Sequence, residues 1–326
     1  MNLGVLGAGA WGCALGKVLH DNGHHVTMWG RNPALLEQIK TSGENTRYLP
    51  GIPLGCDWDL TSDLSVAASG QDALVMAVPS GGFRPVAEQV ASFQGVVVSV
   101  TKGIEFESGK TMTEVLADSM PASKVVALSG PTLAAEVASG MPTAIVAASE
   151  CVSDAEHVQA LFHRSHFRVY TSSDPVGVEF GGALKNVIAI AAGICEGLGF
   201  GDNSKAALVT RGIAEIRRLG VHCGAKPETF SGLSGLGDLV VTCFSKLSRN
   251  RTFGEKVGAG EDVKALIGAT VSVVEGYATS RSAWQLAEKC GVDVPIINEV
   301  HAMLHQGKPV RVAVEDLLSR EAKMED

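Results

Sequence analysis

The spacing of apolar residues changes character part-way along the chain. In the first half, short runs that are almost wholly apolar or β-branched stand at 3–6, 25–29, 73–78, 96–100, 124–128, 143–148 and 167–170. Stretches with helical spacing lie between them at 11–22, 82–92, 111–118 and 132–139. A run without polar alternation suits a strand covered on both faces, and strands alternating with helices predict repeated βαβ units in a doubly wound sheet. Beyond about residue 180 only helical spacing remains. "NSKAALVTRGIAEIRRLG" places apolar residues at 208, 213, 216 and 219, with Asn203 as the expected cap and Gly220 as the expected end. The pattern predicts an α/β chain: a doubly wound sheet over residues 1–179, then an all-helical domain over 180–326.

One helical segment just past that junction breaks its own rule. Phe180, Ala183, Leu184, Val187, Ile188, Ala189, Ile190, Ala191, Ala192 and Ile194 cover almost every direction of the wheel, as in a helix buried on all sides. Lys185 and Asn186 stand in the middle of it. An ammonium is not buried without a partner, so Lys185 either lines a polar cavity or extends its stem to the surface. The uninterrupted apolar part, 187–195, is about half the roughly 20 residues that a bilayer requires, so no membrane span is expected.

Composition narrows the classes further. The 326 residues are 45% hydrophobic and 19% charged, an ordinary globular balance that excludes disorder. A net charge of −8 argues against a nucleic-acid partner, so any anionic ligand must be held by a local cluster. The seven cysteines, at 13, 56, 151, 195, 223, 243 and 290, form no C-x-x-C pair, which favours reduced thiols over a disulfide framework or a metal site. The opening "MNLGVLGAG" lacks the features of a signal peptide, and a cytoplasmic location is expected.

Candidate chemistry begins at "GAGAWG", a G-x-G-x-x-G between the first strand and the first helix. Gly7 permits the tight turn, Gly9 lets the backbone approach a pyrophosphate, and Gly12 lets the helix pack on the strand. The second strand ends "MWGRNP", with Arg31 where an acidic residue would select a free ribose diol, so a 2′-phosphate is accepted there. Lys102 in "TKGIE" follows a strand and faces the expected ligand crevice. Gly130, Pro131 and Thr132 are expected to open a helix. Asp238 in "GLSGLGDLV" is read as a helix cap or a partner for a lysine, the cap being favoured. Ser248, Arg249, Asn250 and Arg251 gather hydroxyl, guanidinium and amide donors suited to a phosphate.

Together "GAGAWGCAL", "WGRN", "TKGIE", "SGPT", "ALKNVIAIAAGI", "GLGDL", "SRNR" and "VVEG" resemble the bacterial NAD(P)-dependent glycerol-3-phosphate dehydrogenases, in order from residue 7 to 276. The resemblance implies a Rossmann domain followed by a helical domain, with the last strands of the sheet antiparallel. It implies interconversion of dihydroxyacetone phosphate and sn-glycerol 3-phosphate with NADPH/NADP or NADH/NAD, supplying glycerol 3-phosphate for phospholipids. Lys185 then matches the catalytic lysine, assisted by Lys102 and Asp238. Substrate contacts fall on Lys102, Gly130, Thr132, Lys185, Asp238, Ser248, Arg249 and Asn250. Cofactor contacts fall on Gly7, Gly9, Ala10, Trp11, Gly12, Arg31, Lys102, Ala134, Arg249, Val273 and Glu275. No metal is implied, and the oligomeric state, a homodimer included, stays open. A hydroxy-acid dehydrogenase of the same build and a nucleotide sensor without turnover are the alternatives; "SRNR" speaks against the first and the pair of lysines against the second.

Overall fold

Successive side chains of strand β1 (Asn2–Leu6) enter different cores. Leu3 and Val5 pack with the helix Ala10–Asp21, whereas Leu6 packs with the helices Phe83–Gln89 and Met112–Ser119. Because neighbouring residues of a strand point to opposite faces, burial on both sides requires a run that is apolar throughout. In the computed structural model, which describes residues 1–55, 57–270, 273–321 and 324, every strand expected from such a run forms. They are β1, β2 (His25–Trp29), β6 (Ala73–Met76), β7 (Val96–Ser99), β8 (Lys124–Ser129), β9 (Thr143–Ala148) and β10 (Phe167–Ser172). Three short strands are additional: β3 (Glu44–Asn45) and β4 (Leu49–Pro53), which pair as a separate hairpin, and β5 (Asp59–Thr61).

The main sheet has the order β10-β9-β8-β7-β6-β1-β2-β5. Its direction of growth reverses at β1, which pairs in parallel with β2 on one side and β6 on the other. Connections that leave in opposite directions open a crevice at the carboxyl ends of these strands, where "GAGAWG" lies. Within this sheet, among the described residues, the β8–β9 pairing alone is antiparallel, and β9 and β10 run together against the rest.

Two local expectations are corrected. The helix after β8 starts at Ala134, so Gly130, Pro131 and Thr132 precede it. Thr132 Oγ1 donates to the Gly130 carbonyl at 3.1 Å, and Gly130 lies so close to β9 that a side chain there would meet Ile145. The helix Asp202–His222 has Gly201, not Asn203, at its N-cap, and it continues past Gly220, where the absent side chain leaves room for the ring of Phe230.

The helix Pro175–Gly197 follows β10 directly, with Asp174 as its N-cap accepting from Gly177 N at 2.9 Å. The division expected at residue 179 falls inside it. Its 23 residues are long and apolar enough to cross a membrane, but 94% of that window is buried within the fold. Its early turns lie beside β8, and its later turns form the centre of the helical core. A neighbouring helix, Arg249–Gly258, touches it backbone to backbone: a Cβ on Gly193 would lie 2.0 Å from the Arg251 carbonyl oxygen, and one on Gly254 would lie 2.0 Å from that of Ile190. The cysteines at 13, 151, 195, 223, 243 and 290 are free; Cys56 lies outside the described residues.

Candidate active site

Lys185 does not extend to the surface: it is buried, and its partners come from the helix Asp238–Phe244. Its Nζ donates to Asp238 Oδ1 and, at 2.8 Å, to Thr242 Oγ1. Thr242 stands one helical turn after Asp238 and passes its own proton back to the Asp238 carbonyl at 2.6 Å. Lys102, beyond the carboxyl end of β7, donates from Nζ to Asp238 Oδ2 at 2.7 Å and to the Gly130 carbonyl at 3.1 Å. One fully buried carboxylate therefore holds two ammonium groups, one on each oxygen. Asp238 makes no side-chain cap bond despite being the first residue of its helix. The capping reading is thus corrected, because the buried Lys185 and the half-buried Lys102 need the charge more than the helix start does.

The charges tune Lys185. Burial pulls its pKa below the ordinary lysine value, Asp238 opposes that shift, and the Lys102 ammonium reinforces it. Two of its three N–H groups have partners among the described residues, which leaves one for a ligand oxygen.

At the mouth of the crevice the glycine loop has the shape of a phosphate cradle. Gly7 has a φ of 134°, and a Cβ there would lie 2.5 Å from the Ala77 carbonyl oxygen. A Cβ on Gly12 would lie 1.9 Å from the Gly7 carbonyl oxygen, whereas nothing lies within 4 Å of one on Gly9. The following helix, beginning at Ala10, has no side-chain cap and no acid in its first turn, so its leading amides are left to a ligand. A pyrophosphate fits that geometry and sign. Trp11 packs at the edge of the core beneath. Asn45 from β3 was not singled out in the sequence; it is fully buried and donates to the Ala8 carbonyl at 3.0 Å, tying the hairpin to the loop.

Arg31 is exposed beyond β2, and its neighbour Asn32 is occupied in capping the next helix through Ala34 N at 3.0 Å. Glu275 opens the helix Glu275–Cys290 and accepts from Ser80 Oγ at 3.0 Å, with Arg249 in its electrostatic field. Ala134 begins the short helix after β8, and Val273 is exposed just before Glu275.

The four residues of "SRNR" do not act as one cluster. Ser248 caps its helix by accepting from Arg251 N at 3.2 Å. Arg251 is buried against Glu196 and Glu255. Asn250 donates to Asn186 Oδ1 at 2.9 Å and accepts from Gly276 N at 2.9 Å. Arg249 alone is solvent-facing. Asn250 thus joins three helices, with the asparagine beside Lys185 as one of its partners, and Thr242 adds a lysine partner; Asn186 was visible as a second polar residue in an apolar helix, and Thr242 as a hydroxyl four residues after Asp238.

A family model described as the N-terminus of NAD-dependent glycerol-3-phosphate dehydrogenase matches residues 2–155, and one described as its C-terminus matches 174–315. The glycerol-3-phosphate dehydrogenase [NAD(P)+] of Geobacter metallireducens is 48% identical over 99% of this chain and 98% of its own length. The enzyme of that name from Bacillus velezensis is 47% identical over 97% of this chain and 93% of its own. A crystal structure of glycerol-3-phosphate dehydrogenase from Coxiella burnetii superposes with a TM-score of 0.94 at 36% identity, covering 98% of this chain and 99% of that one.

Proposed function

The chain belongs to the NAD-dependent glycerol-3-phosphate dehydrogenase family, and on that premise we propose that Lys185 is the proton donor and acceptor of its reaction, in a crevice between residues 1–179 and 180–326. It is an NAD(P)-dependent oxidoreductase that interconverts dihydroxyacetone phosphate and sn-glycerol 3-phosphate, the precursor of glycerophospholipids. The nicotinamide cofactor supplies or takes the hydride at C2 of the substrate. Everything else falls to the protein.

Reduction puts negative charge on the C2 oxygen, which the third N–H of Lys185 neutralises by giving up its proton. Before transfer the site carries two ammonium groups and one carboxylate; afterwards it carries one of each, so the reaction discharges an excess positive charge. Asp238 keeps Lys185 aimed, and Lys102, fixed on Gly130, contacts substrate and cofactor from the opposite oxygen of that carboxylate. Arg249 holds the substrate phosphate, with Ser248, Asn250 and Thr132 shaping its surroundings. Gly7, Gly9, Ala10, Trp11 and Gly12 cradle the cofactor pyrophosphate, Arg31 faces the adenosine ribose, and Ala134, Val273 and Glu275 complete the cofactor side. A cytoplasmic location suits both the cofactors and the free thiols.

The observation that carries this reading is the buried grip of Lys185 and Lys102 on Asp238. Loss of absorbance at the nicotinamide band, followed with dihydroxyacetone phosphate and each reduced cofactor in turn, tests it. Lys185→Ala should still bind NADPH and lose at least about 100-fold in turnover, the scale for removing a general acid. Lys185→Arg should fail as well, since a guanidinium does not release its proton. Near-normal turnover in either variant would overturn the assignment.

A further inference from the structure

A second charged residue lies in the apolar helix of Lys185, and the reaction just described does not use it. Glu179 is buried, and both of its carboxylate oxygens are engaged by one residue far away in sequence, on a helix of the doubly wound sheet. Thr113 N donates to Oε1 at 3.0 Å, and Thr113 Oγ1 donates to Oε2. Six residues separate Glu179 from Lys185, about 9 Å of rise and about 600° of rotation, so Glu179 faces away from the crevice and does not touch substrate.

Thr113 is in the first turn of the helix Met112–Ser119, whose cap is Thr111. Thr111 in turn pairs with Ile104, two residues beyond Lys102. The carboxylate therefore holds the returning limb of a turn whose outgoing limb begins at Lys102. The far end of that turn is fixed separately. Arg281 lies over the ring of Phe106 at 3.8 Å, and Glu107 N donates to Gln285 Oε1 at 3.1 Å, although Glu107 must adopt a φ of 72° to do so.

Burying a carboxylate opposes folding unless its hydrogen bonds and position repay the lost hydration, and an apolar residue of similar size would fill the space at less cost. What the carboxylate adds is a fixed relation between two elements. We propose that Glu179 is a positioning residue for the reaction, pinning the Lys102 turn to the Lys185 helix so that both ammonium groups meet on Asp238. Burial, with Glu114 nearby, raises its carboxyl to about 7 against the hydrogen bonds from Thr113 and Thr111, as expected for a group kept in place at an electrostatic cost.

The inference rests on Lys185 and Lys102 acting together, and its test is separable from theirs. Glu179→Ala and Thr113→Val should each lower kcat by roughly tenfold or more while changing the Kd for NADPH by less than about threefold, because most cofactor contacts lie elsewhere and a misplacement of about 1 Å affects chemistry before binding. Thr113→Ser, which retains both donors, should stay within about threefold of the parent by the same reasoning. On a Lys102→Ala background, Glu179→Ala should cost less than about threefold, since residues acting through one another are not additive. A lower Tm with kcat intact at 20 °C, or losses that multiply fully in the double variant, would overturn the proposal. Should Glu179→Ala fail to fold, Thr113→Val decides by the same measures. Normal turnover in Lys185→Ala, by contrast, would remove the premise and leave the Glu179 variants to report on folding alone.

Discussion

Lys185 and Asp238 form a buried ion pair, with side chains 7% and 0% exposed. Charges this deep act on each other with little screening, so altering one resets the proton affinity of the other. On the proposed assignment, oxidation of glycerol 3-phosphate needs Lys185 as a free amine, and its rate should rise with pH through the lowered Lys185 value and level off below the ordinary lysine range. Asp238→Asn removes the group that opposes this lowering. The pH profile of kcat/KM for oxidation should therefore move further toward acid, and reduction near neutral pH should fall because the protonated form becomes scarce. A move toward alkali would show that Lys185 is not the titrating group.

On the proposed assignment, Arg31 stands where an acidic side chain would otherwise meet the adenosine ribose. In Arg31→Asp the carboxylate repels a 2′-phosphate and hydrogen-bonds a free diol, so the KM for NADPH should rise by about tenfold or more while that for NADH changes little. Equal losses with both cofactors would show that the residue does not face the ribose.

With Arg251 turned inward, Arg249 is the arginine of "SRNR" left for the proposed phosphate contact. Arg249→Lys retains the charge and loses the paired donors, which should raise the KM for dihydroxyacetone phosphate roughly tenfold. Unphosphorylated dihydroxyacetone should be affected much less. If both substrates suffer alike in a variant with an intact circular dichroism spectrum, the phosphate is held by other groups.

His301 gives a prediction about stability. Its ring stacks on Trp284 with centroids 4.2 Å apart and an interplanar angle of 1°. Burial, with His305 and Arg281 adding to it, lowers its pKa from 6.5 to about 4. The folded protein thus prefers the neutral ring: this contribution is complete above about pH 6.5 and is lost as the pH falls toward 4. His301→Phe keeps the stack without the titration. Between pH 7.5 and 5 the parent should lose on the order of 2 kcal/mol relative to this variant, readable as diverging Tm values. Parallel pH dependences would assign acid sensitivity to other groups.

Much of this architecture was legible because burial on both faces leaves an unmistakable trace, as in Val96 to Val98 of β7. The strand β5 left none: Asp59, Leu60 and Thr61 lie at a sheet edge, where one neighbour suffices and no apolar run is needed. The hairpin of β3 and β4 was hidden for a related reason, since Leu49–Pro53 carries two prolines and is largely exposed. At the site, glycines and lysines were readable because their chemistry is local. Asp238 was read chiefly as a cap because its partners stand 136 and 53 residues away in sequence. Glu179 was passed over because a carboxylate serving a distant helix resembles an ordinary charge until the fold brings Thr113 to it.

The contact between the Lys185 helix and the helix that begins at Arg249 has a consequence for substrate choice. Where Gly193 and Gly254 meet the opposing backbone, no side chain can be repacked to lengthen or shorten the separation. On the proposed assignment, Lys185 and Arg249 then behave as the jaws of a set gauge. A homologue with one more carbon between carbonyl and phosphate would have to be rejected by length, however well either end alone was recognised.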